Sequence, residues 1–319
     1  MKIKALSHYD SDLDTRYGDC ILLYNASSLV VYDCGHSKHA EAVEFFLQSN
    51  PAISTVYLVV SHNDCDHTDG VCDLLTWLYA YTKYTVQVYT HQYLKHVDTI
   101  LDKIDDGRRN RESLKKSLLA EFDNIKKVIE KAQACGFTTI EALSGTSVGS
   151  CTIVGPTVDE FTDVAAKAVD SRENNYIGEG HAEETVMNAA SVQLKCTLDN
   201  SKSILLCGDA SPDYLHNLSN YNCIQLPHHG QKDDAIAVFS ALRDSYSKDY
   251  LISDNTGSAK TSGGSDDLVK YMKEEKYATA YNTKTGIVVL PVYSATTNSN
   301  LQGRTYLGDL DSIKSGIKL

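Results

Sequence analysis

The segment that most restricts what this chain can become runs Val56-Tyr57-Leu58-Val59-Val60-Ser61-His62-Asn63-Asp64-Cys65-Asp66-His67-Thr68-Asp69-Gly70. Its apolar opening reads as a buried strand. Four groups able to bind a cation then follow between positions 62 and 67: His62, Asp64, Asp66 and His67. Side chains alternate along extended backbone, so His62, Asp64 and Asp66 project to one side, and His67 follows as the chain turns toward a helix. Without a cation, two crowded carboxylates repel each other and lose hydration, each at a cost on the order of 1 kcal/mol. One short loop can therefore present ligands to two adjacent ions. The alternative is a solvated loop that is rich in His and Asp.

Nothing else in the composition demands a cofactor. The 319 residues can bury most of their apolar surface without disulfides, as one large domain or two ordinary ones. No run of about eighteen apolar residues spans a membrane, and no apolar stretch follows Met1-Lys2-Ile3-Lys4 as in a signal peptide. The chain thus reads as cytoplasmic, with no membrane partner. The nine cysteines, Cys20, Cys34, Cys65, Cys72, Cys135, Cys151, Cys196, Cys207 and Cys223, are scattered without CxxC pairs. They read as small buried hydrophobes in a reducing compartment. A net charge of −12 excludes a protein that coats nucleic acid through its general surface. Local phosphate chemistry stays open, because bound cations can invert the field inside one cleft.

Along the chain, β and α patterns alternate. Strands are expected at Lys2–Leu6, Cys20–Tyr24, Leu29–Tyr32, Thr55–Val60 and Tyr84–Thr90, with helices near His39–Gln48 and Asp69–Tyr81. From about Arg109 to Ala134, Leu114, Leu118, Leu119, Phe122, Ile125, Val128, Ile129 and Ala132 recur at helical spacing up to Gly136, as one helical insertion. The second half continues with strands Cys151–Val154, Ala190–Thr197, Ser203–Cys207, Cys223–Leu226, Tyr250–Ser253, Thr279–Tyr281 and Gly286–Val292. A short helix after Cys207 and helices near Asp234–Leu242 and Asp266–Lys273 lie between them, and a polar stretch occupies Asp170–Glu184. No linker, repeat or low-complexity tract divides the halves.

The cluster and the motifs around it resemble the metallo-β-lactamase superfamily, whose signature at this place is HxHxDH. Asp64 stands where most members have the second histidine. That HxDxDH form is similar to the hydrolase domain of the DNA-uptake protein ComEC and its free-standing relatives. The resemblance continues in order. Tyr17-Gly18-Asp19-Cys20-Ile21-Leu22 and Val30-Val31-Tyr32-Asp33-Cys34-Gly35 resemble the opening "GDA" and "IDxG" strands. Asn188 to Leu194 and Ile204-Leu205-Leu206-Cys207-Gly208-Asp209-Ala210 resemble "NxxS" and "LLTGD". Leu226-Pro227-His228-His229-Gly230 resembles "HHGS", with Gln231 for the serine, and Tyr281 to Ile287 resembles the closing strand pair. The resemblance implies an α/β fold, a four-layer αβ/βα metallo-β-lactamase sandwich, as a single domain over 1–319 with a helical insertion at about 100–136.

It also implies two divalent metal ions, zinc or manganese. Asp209 would bridge them, with His62 and Asp64 on the first and Asp66, His67 and His229 on the second. His228 is the alternative to His229, or a nearby acid. Catalysis would rest on Asp66, Asp209 and His228, while Asp19, Asp33 and Gly35 would order the loops. Members commonly give the first metal a third histidine, and only His181 lies in a suitable place; its other reading is an exposed residue of the polar loop Gly178–Glu184. A carboxylate at position 64 hardens the first site and shifts preference from zinc toward manganese.

Two such ions can share and activate a water, so no Ser or Cys nucleophile is needed, and no GxSxG elbow is present. The implied activity is that of a phosphodiesterase or nuclease acting on nucleic acid or a small nucleotide-like ester. Arg108, Arg109, Arg111, Lys115 and Lys116 could contact its phosphates, or form a solvated face balanced by Asp105, Asp106 and Glu112. Hydrolysis of carbon esters, lactones or β-lactams is one alternative, and a non-catalytic binding or regulatory module is another.

Overall fold

The computed structural model describes residues 1–7, 9–10, 15–16, 18–104, 110–173, 186–255, 265–277 and 279–292. The chain opens with β1 (Lys2–Ala5), the two short strands β2 (Tyr9–Asp10) and β3 (Thr15–Arg16), β4 (Ile21–Tyr24) and β5 (Ser28–Tyr32). Next come α1 (Ser37–Ser49), β6 (Thr55–Val59), α2 (Cys65–Thr68), α3 (Val71–Ala80) and β7 (Thr85–Thr90). Three helices, α4 (Val97–Ile104), α5 (Arg111–Glu121) and α6 (Asp123–Ala134), lead to β8 (Thr138–Glu141). The second half runs β9 (Ser147–Val148), β10 (Cys151–Gly155), α7 (Val158–Glu173), β11 (Gln193–Thr197), β12 (Ser203–Leu206), β13 (Cys223–Gln225), α8 (Lys232–Ser240), β14 (Asp249–Ile252), α9 (Asp266–Glu274), β15 (Thr279–Asn282) and β16 (Val288–Leu290).

Among the described residues, fourteen of these strands build two seven-stranded mixed sheets, ordered β16-β1-β4-β5-β6-β7-β8 and β15-β14-β13-β12-β11-β10-β9, and β2 pairs with β3 in a separate antiparallel ribbon. In the first, β5 to β8 are parallel; in the second, β12 to β15 are. The inner strands read as continuous apolar runs because both of their faces are buried. On β5, Val30 and Tyr32 enter the core between the sheets, against Ile153, Leu194, Ile204 and Leu206. Leu29 and Val31 face the other way, toward Val43 and Leu47 of α1 and Leu74 and Leu78 of α3. Beyond the second sheet, Leu205, Ile224 and Tyr250 pack on Val238 of α8 and Leu268 and Met272 of α9. The result is the expected four-layer αβ/βα sandwich. No helix among the described residues is long and apolar enough to cross a membrane.

Several sequence expectations are corrected. The single helix expected from Arg109 to Ala134 is two helices, and Arg109 itself lies outside the described residues. At Phe122 the backbone leaves the helical region (φ −116°, ψ 32°), yet the buried ring keeps its place in the apolar pattern by stacking on Tyr93 at 4.6 Å. Periodicity therefore continues through the break. Helices α4 to α6 form an enlarged crossover between β7 and β8, which pair in parallel. Helix α7 was not expected, because Phe161, Val164, Ala165 and Val169 are diluted by small and polar neighbours. Strands β8 and β9 were also missed, and β11 begins only at Gln193, since residues Val186–Ala190 form a 3-10 turn. Not all cysteines are free thiols: Cys151 and Cys196 are joined by a disulfide (Cα–Cα 4.7 Å). The antiparallel register of β10 on β11 brings together two residues 45 apart in sequence.

Candidate metal centre

The polar residues singled out in the sequence gather at one edge of the sandwich, where parallel strands of both sheets end. Asp33 follows β5, Ser61 and His62 follow β6, Asp209 follows β12, His228 and His229 follow β13, and Ser253 follows β14. Carboxyl ends of parallel strands are where open α/β sheets collect their binding groups. Two sheets packed face to face bring these strand ends side by side, so residues from both halves face one another. The buried Tyr32 hydroxyl crosses between the sheets beside this edge and donates to Val192 O at 2.5 Å.

Asp209 lies at the centre of the cluster. Its Oδ2 is 3.5 Å from His67 Nε2 and 3.9 Å from both His62 Nε2 and His229 Nε2. Asp66 Oδ2 is 3.0 Å from His229 Nε2, and its Oδ1 is 3.9 Å from His67 Nε2. Two overlapping groups result, His62, His67 and Asp209, and Asp66, His67 and His229, each with ligand atoms within 4.8 Å of one another. Asp64 sits at the rim: Oδ2 is 3.8 Å from His62 Nε2, and the carboxylate also hydrogen-bonds Asn188. Of the two adjacent histidines, His229 enters the cluster, while His228 Nδ1 pairs with Asp234 Oδ2 at 2.6 Å. His181 lies outside the described residues.

Outer hydrogen bonds determine which ring nitrogen carries the proton. The Ser61 hydroxyl donates to Asp33 Oδ2 (2.7 Å) and the Ser191 hydroxyl to Asn188 O (2.8 Å). Both must therefore accept from His62 Nδ1, at 2.9 and 3.2 Å. His67 Nδ1 donates to Asp33 Oδ2 at 2.8 Å. His229 Nδ1 donates to Asp19 Oδ1 and Ser253 O, both at 3.1 Å. All three rings thus commit Nδ1 as a donor and turn Nε2 toward Asp209, as ligating histidines do.

The chain bends unusually to achieve this. Asp33, His228 and His229 all occupy the left-handed region, with φ of 61°, 49° and 54°. Non-glycine residues held there cost about 1 kcal/mol or more each and concentrate at functional sites. Gln225 was missed by the sequence reading. Fully buried, it accepts from Cys207 N at 3.0 Å and donates to Asp19 Oδ2 at 3.1 Å and Ser253 Oγ at 3.0 Å. It ties the turn carrying Asp209 to the carboxylate that holds His229. A lone amide in the apolar run Cys223 to Leu226 is the signal that could have found it.

Burial favours the neutral acid at Asp209, but His67 and His229 outweigh it and hold the carboxyl well below the usual range. Asp66 is lowered in the same way, with burial opposed by His67 and His229. Burial also opposes charge on His67, yet Asp209, Asp66 and Asp33 raise it well above an ordinary imidazole; Asp19 and Asp209 do the same for His229. The pocket therefore attracts cations, whether protons or metal. The donor set fits a metal: buried His62 Nε2, His67 Nε2 and Asp209 Oδ1 have no hydrogen-bond partner among the described residues, whereas a cluster held by hydrogen bonds alone would pair them.

The basic residues of the insertion look different in context. Arg111 pairs with Asp98 at 2.8 Å and Lys115 with Glu112 at 3.0 Å, so the solvated, balanced face describes them. Arg108, Arg109, Asp105 and Asp106 lie outside the described residues.

No protein-family model and no curated protein matches the chain. Among solved structures it is similar to a long form of RNase Z from yeast, at 15% identity and TM-score 0.36, over 78% of this chain and 36% of that one. It is also similar to the metallo-β-lactamase fold protein YhfI from Bacillus subtilis, at 13% identity and TM-score 0.36, over 70% of each chain.

Proposed function

We propose that the chain is a metal-dependent hydrolase that holds two divalent ions and cleaves a phosphodiester. The observation that carries this reading is the convergence of three imidazoles, each with Nδ1 committed outward, on the Asp209 carboxylate. His62, Asp64 and Asp209 would hold one ion, and Asp66, His67, His229 and Asp209 the other. Bound there, the ions supply Lewis acidity and a nucleophile drawn from water near neutral pH. Asp33 and Asp19 keep the His67 and His229 rings in register and Ser61 and Ser191 do so for His62. His228, its Nδ1 paired with Asp234, would as an imidazolium give its Nε2 proton to the leaving oxygen and regain one from the water that is consumed.

Neutralisation of Arg111 and Lys115 favours a second reading, in which the substrate is a carbon ester, lactone or β-lactam. A substrate panel separates the two: bis(p-nitrophenyl) phosphate, single- and double-stranded DNA, RNA, cyclic nucleotides, a lactone and nitrocefin, each with Mn²⁺, Zn²⁺ or chelator. Chelator-sensitive cleavage of phosphodiesters is expected, with Mn²⁺ restoring stripped protein better than Zn²⁺ because Asp64 offers oxygen. Turnover of only the lactone or nitrocefin would establish the second reading. Inactivity with every metal would leave a binding module.

Proton and metal should compete. The raised pKa values of His67 and His229 stabilise metal-free protein fully below the ordinary imidazole value of about 6.5, and this is lost as pH rises through the folded values. The lowered values of Asp66 and Asp209 contribute above about 3.9, and this is lost as pH falls through the folded values. The Tm gained on metal loading should therefore be larger at about pH 8.5 than at about pH 6, and loading should release protons. Calorimetric titration in buffers of differing ionisation enthalpy checks the release; heats independent of buffer would exclude the competition.

A further inference from the structure

Within the ligand loop, His67 N–H and the Thr68 hydroxyl donate to Asp64 O at 3.1 and 2.9 Å. Helix α2 is four residues long, and Asp64, at its N-cap, makes no capping hydrogen bond with its side chain. Asn63, between His62 and Asp64, turns the other way. Its Oδ1 accepts from the backbone N–H of Asn124 at 3.1 Å and of Ile125 at 3.0 Å, the second and third residues of α6. These are the two donors a helix normally satisfies with its own N-cap side chain. The residue at that position in α6 is Phe122, which has no side-chain oxygen to offer. Asn124 Nδ2 answers by donating to Asn63 O at 2.9 Å and Cys65 Sγ at 3.5 Å. Helix α6 is itself fixed to the first sheet's outer core through Ile125, Val128 and Ala132.

We propose that Asn63 and Asn124 form a clamp that positions His62 and Asp64 from behind, making cation affinity depend on the helical crossover as well as on the ligands. The clamp rests on the metal-binding reading above. Both residues are positioning residues, since neither belongs to the ligand set. The loop's outward-facing side chain caps a helix, and that helix holds the loop's backbone, so a shift of either displaces both flanking ligands.

Zn²⁺ affinity, measured by competition with a chromophoric chelator, and the Tm of metal-free protein test this on wild type, Asn63→Ala, Asn63→Asp and Asn124→Ala. Asn63→Ala should weaken Zn²⁺ binding by about tenfold or more, the range seen when groups supporting metal ligands are removed. Asn63→Asp keeps an oxygen for both N–H groups and should stay within about threefold of wild type. Asn124→Ala retains the helix cap but loses the returning bonds, and should fall between. A lower Tm for Asn63→Ala with unchanged Zn²⁺ affinity would reduce the pair to a helix cap and overturn the clamp, as would Asn63→Asp binding no better than Asn63→Ala. If Asn63→Ala does not fold, wild-type affinity in Asn124→Ala overturns the clamp and weakened affinity supports it. Where wild type takes only Mn²⁺, the same comparison is read with that ion; wild type that binds neither Zn²⁺ nor Mn²⁺ would remove the metal reading and the clamp together, and the other failures remove the clamp alone.

Discussion

Asp209→Asn should abolish hydrolysis, with turnover of the preferred substrate falling about 10³-fold or more. The substitution preserves shape and one oxygen but removes the charge that all three Nε2 atoms face, at 3.5 to 3.9 Å. On the proposed reading an amide would hold two cations poorly, and losing several kcal/mol of Lewis-acid stabilisation would correspond to roughly that factor in rate. Metal content should drop along with turnover, as elemental analysis of the purified variant would reveal. In metal-free protein, the His67 and His229 imidazoliums lose the same partner, so the variant's Tm should fall most on the acid side, where those rings are charged. Two retained metal equivalents with turnover within about tenfold of wild type would overturn the proposed role of Asp209 in holding both ions.

Gly18→Ala should damage both stability and metal binding. A Cβ at Gly18 would lie 1.8 Å from Asp66 O and 2.5 Å from Asp66 C, backbone atoms that cannot rotate away. Gly18 also has φ +75°, where a side chain costs about 1–2 kcal/mol. Overpacking adds about 1–3 kcal/mol, so a loss of about 3 kcal/mol is expected, or roughly 4–5 °C in Tm. The strain falls on Asp66, and through Asp19, whose N–H donates to Asp66 O at 2.8 Å, on His229. Weakened Zn²⁺ binding should accompany the lower Tm. Gly145→Ala is the control: φ is +95°, but nothing lies within 4 Å of its Cβ. It should lose stability to backbone strain alone and bind metal normally. Equal metal affinity in Gly18→Ala and wild type would show that the loop's approach to Asp66 does not set the centre.

Periodicity cannot detect the break at Phe122, because its ring stays buried on both sides of the change in backbone direction. Helix α7 escaped because Ala165 and Ala168 pack closely without looking hydrophobic enough to mark a face. Gln225 appears as one amide in an apolar strand, and its value comes from Asp19, about two hundred residues away. Asn63 looks like loop filler until α6 is placed behind it.

What the sequence alone determined was local: the alternation of α and β, the apolar strands covered on both faces, and the donor-rich loop from His62 to His67. Each is written in neighbouring residues, where side-chain direction follows from backbone period. Tertiary structure decided the rest. It set β16 beside β1, closed Cys151 on Cys196, brought Asp209 under three imidazoles and turned His229 toward Asp209 while pairing His228 with Asp234. Those outcomes depend on strand register and on the meeting of two sheets, and contacts between segments distant along the chain are specified only once both are packed on a shared core.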